Sequence, residues 1–172
     1  MPAIESHQLC LECGLCCNGV IFAKGQLQPG DNSERLHALG LAILRTTKSG
    51  ETKFKQPCAA FDGCRCGIYK DRPKYCRAFE CLLLKRVNAG KIEFSKALQL
   101  VRRAHRRAEK VKRLLQKLGD SEEHVALSVR VRRMQNRLER EVFDAESAHL
   151  FGELTLAMHS LQLLLSEEFY PG

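Results

Sequence analysis

The residues of this chain best equipped for chemistry are its nine cysteines, every one of them within the first 81 positions. Four crowd into one run, Cys10-Leu-Glu-Cys13-Gly-Leu-Cys16-Cys17, and the rest follow as Cys58, Cys64, Cys66, Cys76 and Cys81. Packing alone does not account for thiols this dense. A CxxC segment lets two thiolates reach one ion while the backbone amides between them turn toward the sulfurs. CxxCxxCC offers four sulfurs in one short loop, more than a tetrahedral zinc site usually takes from one segment. Three cysteines at three-residue steps followed by a distant fourth also hold a 4Fe-4S cluster. Spacing leaves zinc and iron-sulfur both open, and two blocks far apart in sequence can close on shared metal. Gly14 allows close backbone approach inside the first block, and Gly19 lets the chain turn away from it.

The competing use of many cysteines is a disulfide framework. Met1 is followed by Pro-Ala-Ile-Glu-Ser-His, with no basic start and no apolar stretch of signal-peptide length. The expectation is a cytoplasmic, reducing location, where such a pattern is more often metal-binding or catalytic. Nine is also odd, and CxxC pairs make poor long-loop staples. CxxC thiols can have lowered pKa values, so thiol redox chemistry is the leading enzyme alternative.

Composition excludes other classes. No apolar run approaches the roughly 20 residues that span a bilayer, and Trp is absent from a chain with few aromatics. Aromatic platforms for single-stranded nucleic acid are therefore scarce. The net charge of +8 gathers in the C-terminal half, with Arg102, Arg103, Arg106, Arg107, Lys110 and Arg113 within a few turns. Such a face either contacts an acidic protein surface or binds nucleic acid weakly and non-specifically, or it is simply the solvated side of amphipathic helices.

Positioning these groups needs elements of two kinds. Up to about residue 82, glycines and prolines punctuate short segments: a strand at Val20–Ala23, a short helix at Ser33–Leu44, a strand at Thr52–Lys55 and a helical turn between Tyr69 and Phe79, with Pro73 near its start. Beyond residue 90, Phe94, Leu98, Val101, Ala104, Ala108, Val111, Leu115 and Leu118 recur at three- and four-residue steps and mark a long helix stopped by Gly119. Asp120 with Glu123 resembles a capping box opening a second helix that carries Leu127, Val131, Met134, Leu138 and Val142. Asp144 caps a third, with Ala148, Phe151, Leu154, Met158, Leu161 and Leu165 on its apolar face. The expected fold is α+β and mostly helical. Residues 1–82 form a small cysteine-rich metal-binding domain, and residues 83–172 a basic antiparallel helical hairpin or three-helix bundle.

The two cysteine blocks, with Pro57-Cys58 and the string Cys66-Gly-Ile-Tyr69-Lys-Asp-Arg72-Pro73-Lys-Tyr-Cys76-Arg77, resemble the CxxCxxCC cysteine-cluster family, bacterial YkgJ-like proteins described as zinc- or iron-chelating. The resemblance covers roughly residues 10 to 81. It implies that Cys10, Cys13, Cys16, Cys17, Cys58, Cys66 and Cys76 are the recurring cysteines. Cys64 and Cys81 stand outside the common pattern, as an eighth ligand or as free thiols. The motif also occurs in flagellin lysine N-methylases, which implies a 4Fe-4S site or a metal-dependent enzyme or enzyme subunit as alternatives to plain metal binding.

Beside the cysteines, Tyr69, Arg72 and Arg77 are candidates for supporting a bound metal or cluster: the arginines by offsetting thiolate charge, the tyrosine by packing over the site. Among the histidines only His7 lies near a cysteine. His37, His105, His124, His149 and His159 fall in helical patterns and read as ordinary positions. No GxGxxG, GxxxxGK, HExxH or GxSxG string is present. The reading is a metal-binding protein, with zinc or iron as cofactor.

Overall fold

The protein is described here by a computed structural model covering residues 2–45, 50–63, 65–140 and 144–170. Cys64 and Val142 lie outside the described residues, as does the side chain of His7. The described residues form seven α-helices, one 3-10 turn (Tyr69–Asp71) and one small sheet: α1 (Pro2–Cys13), β1 (Lys24–Gln26), α2 (Ser33–Ala38), β2 (Ile43–Arg45), β3 (Thr52–Lys55), α3 (Lys74–Ala78), α4 (Leu82–Asn88), α5 (Phe94–Lys117), α6 (Leu127–Leu138) and α7 (Ala145–Glu168). The mostly helical α+β class is as expected.

The long helices follow from their spacing. Ala97, Val101, Ala104, Ala108, Val111, Leu114 and Leu115 line the buried stripe of α5, and Gly119 ends that helix at φ 83°, a left-handed conformation that costs glycine little. Asp144 caps α7 as foreseen, its carboxylate accepting from the Ser147 amide at 2.7 Å. α5 packs most extensively along α7 and less against α6. Four expectations need correction. The strand placed at Val20–Ala23 lies further on, at Lys24–Gln26, with no residue in common. The helix from Ser33 ends at Ala38, because Leu41 turns in to the core and Ile43 begins β2. Asp120 caps a turn, accepting from the Glu122 amide at 2.8 Å, while α6 starts later, at Leu127. Ala148, assigned to the apolar face of α7, is exposed.

Two hydrophobic cores result. The larger joins Leu9, Leu15 and Val20 to buried residues of α4, α5, α6 and α7, so it crosses residue 82. The smaller holds Leu36, Leu41, Phe54 and Ile68 under the antiparallel sheet, whose strand order is β1-β3-β2. In that sheet Gly25 stands opposite Phe54, and a Cβ on Gly25 would fall 2.1 Å from the ring's Cζ. The fully buried ring occupies the space a side chain would need. Gly25→Ala is therefore expected to destabilise the fold by roughly 1–3 kcal/mol, read as a lower midpoint in urea unfolding. An unchanged midpoint would show that the ring moves freely.

Candidate metal centre

The first cysteine block is half helix and half turn. Cys10 and Cys13 sit three residues apart on the last turns of α1, so both sulfurs lie along one side. Gly14 ends the helix at φ 59°, its amide donating to the Cys10 carbonyl at 3.3 Å in a left-handed cap. The next amides fold back: those of Cys17 and Asn18 both donate to the Gly14 carbonyl at 2.9 Å. A Cβ at Gly14 would lie 2.6 Å from the Phe61 ring, so close approach does require glycine here. His105, on α5, holds the helix end from outside. Its Nε2 lies 2.7 Å from the Cys13 carbonyl and donates, since a carbonyl only accepts.

The second block is brought in by main-chain bonds and by a helix start. The Cys58 amide donates to the Cys17 carbonyl at 2.7 Å, joining the blocks directly. Phe61 pairs with Cys66 in an isolated bridge, and the Gly67 amide donates to Ala60 at 2.7 Å. Cys76 rides on α3, whose neighbour Tyr75 meets Phe22 and Phe54 edge-on. Cys81 caps α4, its sulfur accepting from the Leu84 amide at 3.4 Å.

All eight described cysteines are unpaired thiols, and all eight line a single cavity of about 120 Å³. The remaining wall is apolar and aromatic, including Leu15, Phe22, Phe54, Phe61, Val101 and Phe169, and contains no carboxylate, lysine or histidine among the described residues. Of the expected supporting residues, Tyr69 and Arg72 stand in the wall. The Arg72 guanidinium lies 3.6 Å over the Tyr69 ring, its Nε donating to the Tyr69 carbonyl at 2.9 Å, and among the described residues it is the one cation in the wall. Arg77 is exposed and outside the wall, because α3 turns Cys76 inward and the following residue outward. None of the described histidine side chains lines the cavity.

Electrostatics fit a cation-binding role better than a nucleophilic one. Desolvation raises the thiol of Cys13 to about 12, and Cys17 and Cys76 each to about 12 with further push from neighbouring cysteines. Cys10, at the open edge, rises to about 11 by desolvation and the nearness of Cys81, against a smaller opposing pull from Arg72. Burial also raises Cys16, Cys58 and Cys81. A reactive thiol needs a depressed pKa. The lowered values expected for CxxC thiols are absent here, because the wall is apolar and the sulfurs repel one another when ionised. Several backbone amides do turn to sulfur: Leu15 to Cys13, Ala60 and Phe61 to Cys58, Leu83 and Leu84 to Cys81.

One further wall residue, Gln56, escaped sequence reading. It is 7% exposed, and its Oε1 is buried without a hydrogen-bond partner. A cavity of soft donors with an orphaned acceptor and one guanidinium suits a metal cation or cluster. Among the described residues no three Cys, His, Asp or Glu side chains stand in a ready-made ligating set.

Comparison with known families decides the kinship. Residues 9–110 match CxxCxxCC, described as "Putative zinc- or iron-chelating domain". The chain belongs to that family. Searches of the curated proteins and of the solved structures returned no match. The CxxCxxCC match spans both cysteine blocks, α4 and two thirds of α5, so it takes in every thiol of the cavity together with Val101 and His105. No helix among the described residues is long and apolar enough to cross a membrane.

Proposed function

We propose that this CxxCxxCC protein is a thiolate metal-binding module, holding zinc or a 4Fe-4S cluster through Cys10, Cys13, Cys16, Cys17, Cys58, Cys66, Cys76 and Cys81 in a structural or redox-sensitive role. One observation carries the reading: eight thiols from two sequence blocks line one apolar cavity. Bound metal would supply the positive charge that lets these thiols ionise where water cannot. Arg72 and the backbone amides would offset part of the remaining negative charge. Tyr69 would position Arg72 by stacking beneath it. Anaerobic purification followed by an absorption spectrum and metal quantification on one sample tests the proposal. Visible charge-transfer bands with iron mean a cluster; a colourless sample with stoichiometric zinc means zinc ions; neither metal overturns the reading.

The raised thiol pKa values set a pH dependence. A thiol must lose its proton to bind metal, and Cys10, Cys13, Cys17 and Cys76 hold theirs up to about 11 or 12. Across the neutral range each thiol bound should displace about one proton, so apparent affinity should rise by roughly a factor of ten per pH unit per ligand. Zinc competition titrations at several pH values, with proton release followed in weak buffer, check this. Affinity independent of pH would mean that the cavity thiols do not ligate.

The basic reading of α5 rests on charge alone. Arg102, Arg103, Arg106, Lys110 and Arg113 are exposed, while Arg107 donates to the Ser160 carbonyl and Lys112 pairs with Glu109.

A further inference from the structure

We propose that the eight described thiols work as two four-thiol groups, Cys10, Cys13, Cys16 and Cys81 in one and Cys17, Cys58, Cys66 and Cys76 in the other, giving two metal centres in one chain. This rests on the metal-binding reading above and adds the stoichiometry and the division of ligands. Two independent features draw the same line.

The cores draw it first. Cys13 and Cys81 pack on the larger hydrophobic cluster, whereas Cys58, Cys66 and Cys76 pack on the smaller one. The backbone draws it second. Cys81 opens α4, and α4 packs on α1, which carries Cys10 and Cys13. On the other side the Cys58 amide hangs from the Cys17 carbonyl at 2.7 Å, and the Phe61–Cys66 bridge folds Cys66 back beside Cys58. Cys17 is thereby tied to Cys58, and its neighbour Cys16, the one described thiol left over, completes the other four, so the vicinal pair Cys16-Cys17 is the seam.

Four thiolates are what one tetrahedral zinc ion or one 4Fe-4S cubane takes. The eight described thiols divide four and four with none over, which makes Cys81 a ligand in this division.

Cobalt(II) is the probe, because its visible bands report a tetrahedral thiolate set and it occupies zinc sites. The full-length chain, stripped and reduced under anaerobic conditions, is titrated with cobalt and then with zinc. The expected result is two equivalents bound. Cys81→Ser should bind one, with its helix intact, since serine is a good N-cap but a poor soft ligand. Cys66→Ser should also bind one, and the double variant none. Far-UV circular dichroism checks folding, and Cys10→Ser and Cys76→Ser repeat the test in each group should either first choice fail to fold. Saturation at one equivalent, loss of all metal in either single variant, or two equivalents surviving in Cys81→Ser would overturn the division while leaving metal binding standing. No uptake of cobalt or zinc by the unaltered chain, together with neither iron nor zinc in the anaerobically purified protein, would overturn the metal reading itself.

Discussion

Chelation of the metal-loaded, full-length chain is expected to release the segment from β1 to α3 while α5, α6 and α7 stay folded. Among the described residues the small core buries Leu36, Leu41, Phe54 and Ile68, with partly buried neighbours such as Leu27, Ile43 and Tyr75, too little apolar surface to hold three short strands and two short helices unaided. Thiolate metal sites contribute on the order of 10 kcal/mol to small folds, so their loss outweighs that core. The large core has its own extensive burial in α4, α5, α6 and α7. Proteolysis should cut first between residues 24 and 76, with most helical circular dichroism retained. Simultaneous loss of all helices would show one cooperative unit instead. The stripped protein should also carry an inverted pH response. Its thiols are held protonated in the fold, above the ordinary value of 9.0. That contribution is therefore fully present below pH 9.0 and lost as pH rises toward about 12. Metal-loaded protein should instead weaken toward acid.

Asp120→Ala is expected to cost roughly 3–5 kcal/mol, the largest single effect anticipated outside the cysteines. Asp120 accepts from Arg130 Nε at 2.9 Å, and the two side chains are only 8% and 3% exposed. Removing the carboxylate leaves a buried guanidinium whose Nη2 already lacks a partner, and it also removes the cap on the Glu122 amide. Thermal unfolding should fall by on the order of 10 °C. The double replacement Asp120→Leu with Arg130→Met should recover much of the loss, because no charge then remains uncompensated. A single-variant change below about 1 kcal/mol would mean that the pair is solvated in solution.

Part of this arrangement could be read from the chain and part could not, for reasons that differ by element. α5 and α7 were legible because their apolar residues repeat at helical steps over some two dozen positions. α1 was not, since Ile4, Leu9 and Leu11 make no sustained stripe in Pro2–Cys13; that helix is fixed by packing on α4 and α5. The eight described thiols of the cavity were named from spacing and resemblance, and Gly14 was read as a place of close backbone approach and Gly19 as a turn point, both with positive φ. Cys81 was ambiguous because it lies outside CxxC spacing, and cysteine is an uncommon helix cap. Gln56 carried no signal at all: its importance comes from burial beside sulfur, which exists only once β3 has delivered it there. Arg77 shows the reverse, a residue favoured by its string but turned outward by one step of helix.

The cavity wall runs from Leu9 to Phe169, nearly end to end of the chain, and the Phe169 carbonyl accepts from the Leu82 amide at 3.0 Å, beside the cap at Cys81. Coordination chemistry and the roof over it thus have different addresses in the sequence. Every thiol lies by residue 81, and the family match stops at residue 110. A chain cut at residue 110 would keep every thiol and yet lose α6, α7 and the end of α5, baring the rest of the apolar stripe of α5 and opening one side of the chamber to water.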